Sequence, residues 1–360
     1  MSRVSPGTAA WVLGISTALF GTLSSAASTV ATSTQIMSLC QPAATSPSAK
    51  QLLAAAKRHL GDGNHALPHL HTEGTLPNQG IREQSIEAEK DWPVLRQAAL
   101  AWRLSADPHY LQQVDEGLTA WTSTYQPDFN PIDETNLDQL IDAYTLTASE
   151  LRPETREASR AFLRKLGNGY LEQIRQFHGS KSSKNINNWQ SHRVKLVTLA
   201  AAALADRAML EQAFQLFEQQ VADNLLPDGS VFDFRERDAL HYVVYDLEPL
   251  VQAALAAKPY GIGDNWLGYT APGGASLGRS LDWLVPYASG QRSHEEFVHT
   301  SVKFDRDRAH VGESGYSGSW EPKSSNKLYW LAAQLDARYL SLARQLAPYP
   351  QDWIGACYLK

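Results

Sequence analysis

The sequence predicts an all-α protein, an incomplete (α/α) toroid of helical hairpins, and three observations carry that prediction. Apolar residues recur at helical spacing along most of the chain, whereas runs of strict alternation are scarce. A unit of helix, short Asp-containing turn and helix occurs twice, over 85–121 and again over 189–221. No fixed short repeat period accompanies it, which counts against an α-solenoid and favours a toroid whose inner helices line a cleft.

The elements follow in order. Arg3, an apolar run from Ala9 to Leu23 and the small residues Ser24-Ser25-Ala26-Ala27 make 1–27 a secretory signal peptide. A flexible tail rich in Ser, Thr, Ala and Pro occupies 28–50, and one domain is expected over 51–360. After the signal, no segment is long and apolar enough to span a membrane, so a secreted or periplasmic protein is expected. The first helix spans 85–104, with Ile86, Val94, Leu95, Ala98 and Trp102 available to its buried side. Ser105-Ala106-Asp107-Pro108 stops it and starts a second helix that runs to Trp121. Helices are further expected over 137–151, 154–177, 189–204, then after Ala205-Asp206 to Val221, and over 238–257, 276–287 and 325–346. Loops at 61–82, 224–234, 259–274 and 290–322 are longer than economy requires, and a rigid scaffold carries its ligand contacts on such loops. Cys40 and Cys357 stand near the two ends of the mature chain, and in an oxidising compartment they are expected to pair.

With 43% hydrophobic and 19% charged residues, the 360-residue chain can bury a full core. The formal charge of −6 argues against a nucleic-acid partner, so a polyanionic ligand would need a local cationic groove. A monomer is expected. No G-x-S-x-G, P-loop or Rossmann glycine pattern stands in a strand-to-helix setting, which argues against nucleotide enzymes and hydrolases of those folds.

The chemistry concentrates in two segments, Asn185-Ile186-Asn187-Asn188-Trp189-Gln190-Ser191-His192-Arg193 and Arg235-Glu236-Arg237-Asp238-Ala239-Leu240-His241-Tyr242-Val243-Val244-Tyr245. On helices, Asn185, Asn188 and His192 share one face, and His241 and Tyr245 lie one turn apart on another helix. Amide, imidazole and phenol can then converge and work without metal or cofactor. Such a set suits β-elimination on a uronic-acid polymer. Asn188, with Asn185 or Gln190 beside it, hydrogen-bonds the carboxylate; His192 or Tyr245 takes the C5 proton; Tyr245 protonates the glycosidic oxygen. The phenol would need its pKa lowered by cations such as Arg235 or Arg237.

At these residues the chain resembles the alginate lyase superfamily of helical-toroid polysaccharide lyases, from about Leu52 to Leu346. The resemblance rests on Asn187-Asn188 opening a helix, on the Arg-rich segment leading into Ala239–Tyr245, and on Ser280-Leu281-Asp282-Trp283-Leu284-Val285-Pro286-Tyr287. It implies catalytic roles for Asn188 and Tyr245 and an anionic polysaccharide substrate, mannuronate-rich alginate or glucuronan. In the best-known members a His follows the Asn pair and an Arg stands six positions before the second Tyr. Here those places hold Trp189 and Ala239, so His192 and Arg235 or Arg237 are the nearest substitutes.

Substrate contacts are expected from Asn185, Asn187, Trp189, Gln190, Arg193, Arg235, Arg237, His241 and Tyr242, and from His71, Arg82 and Gln84 in the loop before the first helix. His299, Lys303 and Arg306 would bind successive carboxylates from the basic stretch 292–310. Each has a plainer reading. One of Asn187 and Asn188 can cap the helix, His192 can be a satisfied core histidine, and the basic stretch can be a self-paired solvated loop. His69, His71 and Glu73 form only a weak zinc pattern. The competing functions are a hydrolase using carboxylates such as Asp133, Glu134 or Asp138, and a polyuronate-binding protein without chemistry.

Overall fold

The computed structural model describes Met1 and residues 46–350, apart from His178, Ser180, Lys181 and Asp264. The expected signal peptide beyond Met1, most of the expected tail and the expected Cys40–Cys357 bridge lie outside the described residues. Within them the fold is all helical, with no strand and only two isolated antiparallel bridges, Leu225 with Val231 and Glu295 with Ser319.

Helix α1 (Pro47–Arg58) leads by a long loop into α2 (Arg82–Glu89) and α3 (Asp91–Ser105). What the sequence reads as one helix over 85–104 is thus two, joined at Lys90. Ala106 in the left-handed region ends α3, and Asp107 accepts from the His109 N–H to start α4 (Pro108–Thr124), so the Ala-Asp-Pro turn works as its residues imply. Then come α5 (Asp138–Thr147) and α6 (Pro153–Phe177). The second hairpin, α7 (Asn188–Leu204) and α8 (Arg207–Asn224), repeats the device with Ala205 left-handed and Asp206 as N-cap. The short α9 (Phe232–Arg237) precedes α10 (Leu240–Ala257), followed by α11 (Leu277–Ala288), α12 (Lys303–His310), α13 (Asn326–Leu335) and α14 (Leu340–Leu346).

Helix α7 packs against α6, α8 and α10 and is buried almost all round, which is why its apolar residues form a run instead of a stripe. Around it lie two apolar clusters, one built by α1 to α8 with Trp92, Trp121 and Tyr170, the other mainly by α7, α8, α10, α11, α13 and α14 with Phe217, Trp266 and Trp330. A third, small aromatic cluster of Tyr242, Phe297 and Tyr316 floors the space between the N-terminal ends of α7 and α10. Ile86, expected in the core, is 41% exposed and lines that space.

Candidate active site

The N-terminal ends of α7 and α10 meet across a cleft of about 390 Å³ lined by Asn188, Trp189, Arg237, His241, Tyr242 and Tyr245. The local sequence explains the position of each group. Asn187 is the N-cap, its side chain accepting from the Trp189 N–H at 3.1 Å, which leaves Asn188 as the first residue of α7. Asn188 is fixed by Asp233: its backbone N–H and its side-chain amide donate to the two carboxylate oxygens at 2.7 and 2.6 Å. One amide N–H therefore has a set direction, and the rest of the amide faces the cleft.

At the other helix, Asp238 takes φ +52, a conformation its short polar side chain tolerates, so α10 starts at Leu240 and not at 238. No residue of its own caps α10. The Glu296 carboxylate does so from another loop, accepting from the Leu240 and His241 N–H groups at 2.8 and 3.1 Å. This sets the turn carrying His241 and Tyr245, whose rings lie 6.4 Å apart and 18° from parallel.

The Tyr245 hydroxyl meets Thr135 Oγ1 at 2.7 Å. Thr135 in turn donates to the Pro131 carbonyl at 3.0 Å, which leaves Tyr245 as the donor in their mutual bond. The 130–137 loop is held by its acids. Asp133 accepts from the Thr72 and Glu73 N–H groups at 2.7 Å each, and buried Glu134 accepts from the hydroxyls of Tyr125 and Tyr170. Burial is the main cause of the shifts in this site. It raises Tyr245 well above an ordinary phenol, with Thr135 opposing; His241, whose residue surface is still exposed, is pushed down to about 4 by the protein packed around its ring, helped by Arg308 and Arg237. Tyr245 is thus a protonated phenol and His241 a neutral imidazole at neutral pH. Glu89, also on the cleft, is raised to about 7 by burial.

Behind Tyr245 lies a second cavity of about 280 Å³, into which His192 and Lys195 project; Thr135, Asn136, His241 and Tyr245 form the wall between the two. His192 is buried with its ring 4.4 Å from that of Tyr245. Pro249 explains its place. A proline has no N–H to give the carbonyl four residues earlier, so the Tyr245 carbonyl lacks its helical donor, and the His192 imidazole approaches it without completing a hydrogen bond. Burial, then Lys195 and Lys327, hold His192 well below its ordinary pKa.

The alginate lyase family model matches residues 23–294, most of the chain. The chain belongs to the alginate lyase family. It is therefore a polysaccharide lyase. Two solved structures agree with the fold of this family member: an alginate lyase from Bacteroides ovatus (16% identity, TM-score 0.62, covering 92% of this chain and 98% of that one) and alginate lyase A1-III from Sphingomonas species A1 (14% identity, TM-score 0.51, 83% and 84%). No curated protein matches the sequence significantly.

Not every residue singled out from the sequence of this alginate lyase family member reaches the cleft. Asn185 lies in a short 3₁₀ turn before α7, off the face of Asn188, and donates to the Phe177 carbonyl. Asn187 is occupied as a cap. Gln190 and Arg193 bond to each other at 3.2 Å, and Arg193 also reaches Gln173 and the Lys184 carbonyl. Arg235 is exposed and paired with Asp228 at 2.8 Å, so of the two arginines only Arg237 attends the site, 4.0 Å over the Tyr242 ring and ion-paired with Asp305. Neither lowers the Tyr245 pKa, contrary to the requirement read from the sequence. His71 pairs with Asp133 at 3.1 Å, and Arg82 with Glu313 at 3.0 Å. Gln84 is exposed on the outer side of α2, away from the cleft lining. From the basic stretch, His299, Lys303 and Arg306 stay outside; Lys303 pairs with Asp307, and Arg306 donates to the Thr300 carbonyl. The residues that do line the cleft there are Phe304, Arg308 and Tyr316, and α12 turns Arg308 inward because it lies one turn from Phe304. That spacing was the available signal. The hydrolase alternative loses its acids, because Asp133 and Glu134 are sealed in the loop anchor and Asp138 bonds Gln252 at 2.9 Å.

Proposed function

We propose that the cleft binds a polyuronate and cleaves it by β-elimination. The observation that carries this reading is the convergence of a fixed amide, a cation, a neutral imidazole and a protonated phenol on one cleft: Asn188, Arg237, His241 and Tyr245. Asn188 and Arg237 hydrogen-bond the uronate carboxylate as charge moves onto it. A ring nitrogen of His241 takes the C5 proton, the electron pair forms the C4–C5 double bond, the C4–O4 bond breaks, and the Tyr245 hydroxyl gives its proton to O4. The products are an unsaturated non-reducing end and a new reducing end. His192, first in line from the sequence as the base, is assigned instead to the back of Tyr245, where its ring packs against the phenol ring.

His241 and Tyr245 lie on the same helix with near-parallel rings, so proton removal and proton delivery come from one side of the sugar. In mannuronate and glucuronate the C5 proton and O4 share a face, whereas in guluronate they do not. Mannuronate-rich alginate or glucuronan is therefore the proposed substrate. The apolar N-terminal run supports action outside the cytoplasm. A panel of polymannuronate, polyguluronate, glucuronan and hyaluronan, followed by the ultraviolet absorbance of the conjugated double bond, tests the reading. Absorbance should grow with the first and third; cleavage of polyguluronate alone, or new reducing ends without absorbance, would refute it.

A further inference from the structure

The second cavity has no part in the chemistry above, yet it is built as a ligand site. Lys195 is 1% exposed and sits at its wall, donating to the Thr135 carbonyl at 2.5 Å; Asp138, a carboxylate of the same wall, lies 3.8 Å away, beyond hydrogen-bond reach, so the ammonium keeps N–H donors for a ligand. Lys327 pairs with Glu248 at the rim, beside exposed Ser324. Both nitrogens of His192, 3% exposed, lack a completed hydrogen bond, an arrangement that is costly unless something polar fills the space. Val244 and Pro249 supply an apolar wall.

Resting on the polyuronate reading of the cleft, we propose that this cavity is a uronate subsite, which holds the sugar on the far side of the Tyr245–Thr135 wall from Arg237. The ammonium groups of Lys195 and Lys327 suit a carboxylate, and the imidazole of His192 and the carboxylate of Glu248 suit ring hydroxyls. Val244 and Pro249 suit the C–H face of a pyranose. A purely anionic ligand without hydroxyls would leave His192 and Glu248 unused. The volume fits one ring, and the shared wall places that ring next to the one undergoing elimination. The chain of the substrate would then straddle Tyr245, with cations waiting on both sides.

Filling the mouth from exposed Ser324 tests this without touching the core, and removing the Lys327 charge tests it by a second route. In Ser324→Trp and in Lys327→Gln, with thermal midpoints checked against wild type, KM for the polyuronate should rise about tenfold or more, the loss of one charged subsite. The shortest oligouronate cleaved should lengthen by one sugar. Unchanged KM and unchanged shortest substrate in both variants would overturn the subsite. If the wild-type protein yields no unsaturated product from any polyuronate, the elimination reading fails, and the cavity is judged by polymer retardation in native gels containing polymannuronate. Weaker retardation of the two variants supports it, and equal retardation refutes it.

Discussion

At the scale of single residues, the site depends on protonation states set by the groups packed around the cleft. Tyr245→Phe removes only the hydroxyl that Thr135 accepts from, so the fold should persist while turnover falls roughly 10²–10⁴-fold, the usual effect of losing a positioned acid. Circular dichroism and single-turnover absorbance check it; near wild-type turnover would pass the role to Tyr242. The two histidines separate the base from its support. His241→Ala should lose turnover by a similar factor, whereas His192→Ala should act mainly by loosening Tyr245. An equal loss in both with unaltered stability would restore His192 as the base. The pH dependence has a definite sign. With His241 held at about 4 in the fold and 6.5 as its ordinary value, the neutral base persists well below pH 6. The acid limb of kcat/KM should therefore fall near pH 4 and not near 6.5. In that window the unfolded chain binds more protons at this position, so its contribution to stability is lost as pH falls from 6.5 and is fully absent below about 4. The thermal midpoint of wild type minus that of His241→Phe should fall as pH is lowered from 7 to 4.

At the scale of elements, what was legible in the sequence is what short-range physics dictates. The two Asp-containing turns, the buried run of α7 and the extent of α6 follow from capping, periodicity and proline placement, and the structure has them within a residue or two. The boundaries that failed have local causes that spacing does not reveal. Helix α10 starts late because Asp238 turns left-handed and Glu296, 56 residues away, caps it. The final expected helix divides at Asp336, whose side chain caps a new 3₁₀ turn at Ala337–Tyr339. In the same way, the place of Asn188 on the cleft was legible through its position at the start of a helix, whereas its orienting partner Asp233 was not, being 45 residues distant. The Asn pair allows a direct element-level test. Asn187→Ala should cost about 1 kcal/mol of stability through loss of the cap, with KM little changed. Asp233→Ala should leave Asn188 misaligned and lower kcat more than it raises KM. A raised KM in Asn187→Ala with no loss of stability would make Asn187 a substrate contact after all.

At the scale of the whole molecule, segments far apart in sequence are tied together beside the cleft. Lys184 meets Glu73 at 3.4 Å, and Arg82 meets Glu313 at 3.0 Å, across 231 residues. Glu313 also lies 3.4 Å from Arg308, so a single carboxylate ties α2 to the cation nearest Phe304. The formal charge of −6 makes such local cations decisive for a polyanion, and added salt should raise KM by screening them. Arg82 therefore has two possible duties, touching the polymer or clasping the cleft, and a double-mutant cycle separates them. If Arg82 acts through Glu313, Arg82→Ala and Glu313→Ala should each raise KM about three- to tenfold and the double variant should do no worse than the single ones, the non-additivity expected of groups that work as a pair. If Arg82 contacts substrate carboxylates directly, its loss should raise KM while Glu313→Ala lowers it by freeing Arg308, and the two effects should add. The clasp predicts the first pattern, because the Arg82 side chain is only 16% exposed and already has its donor directed at Glu313.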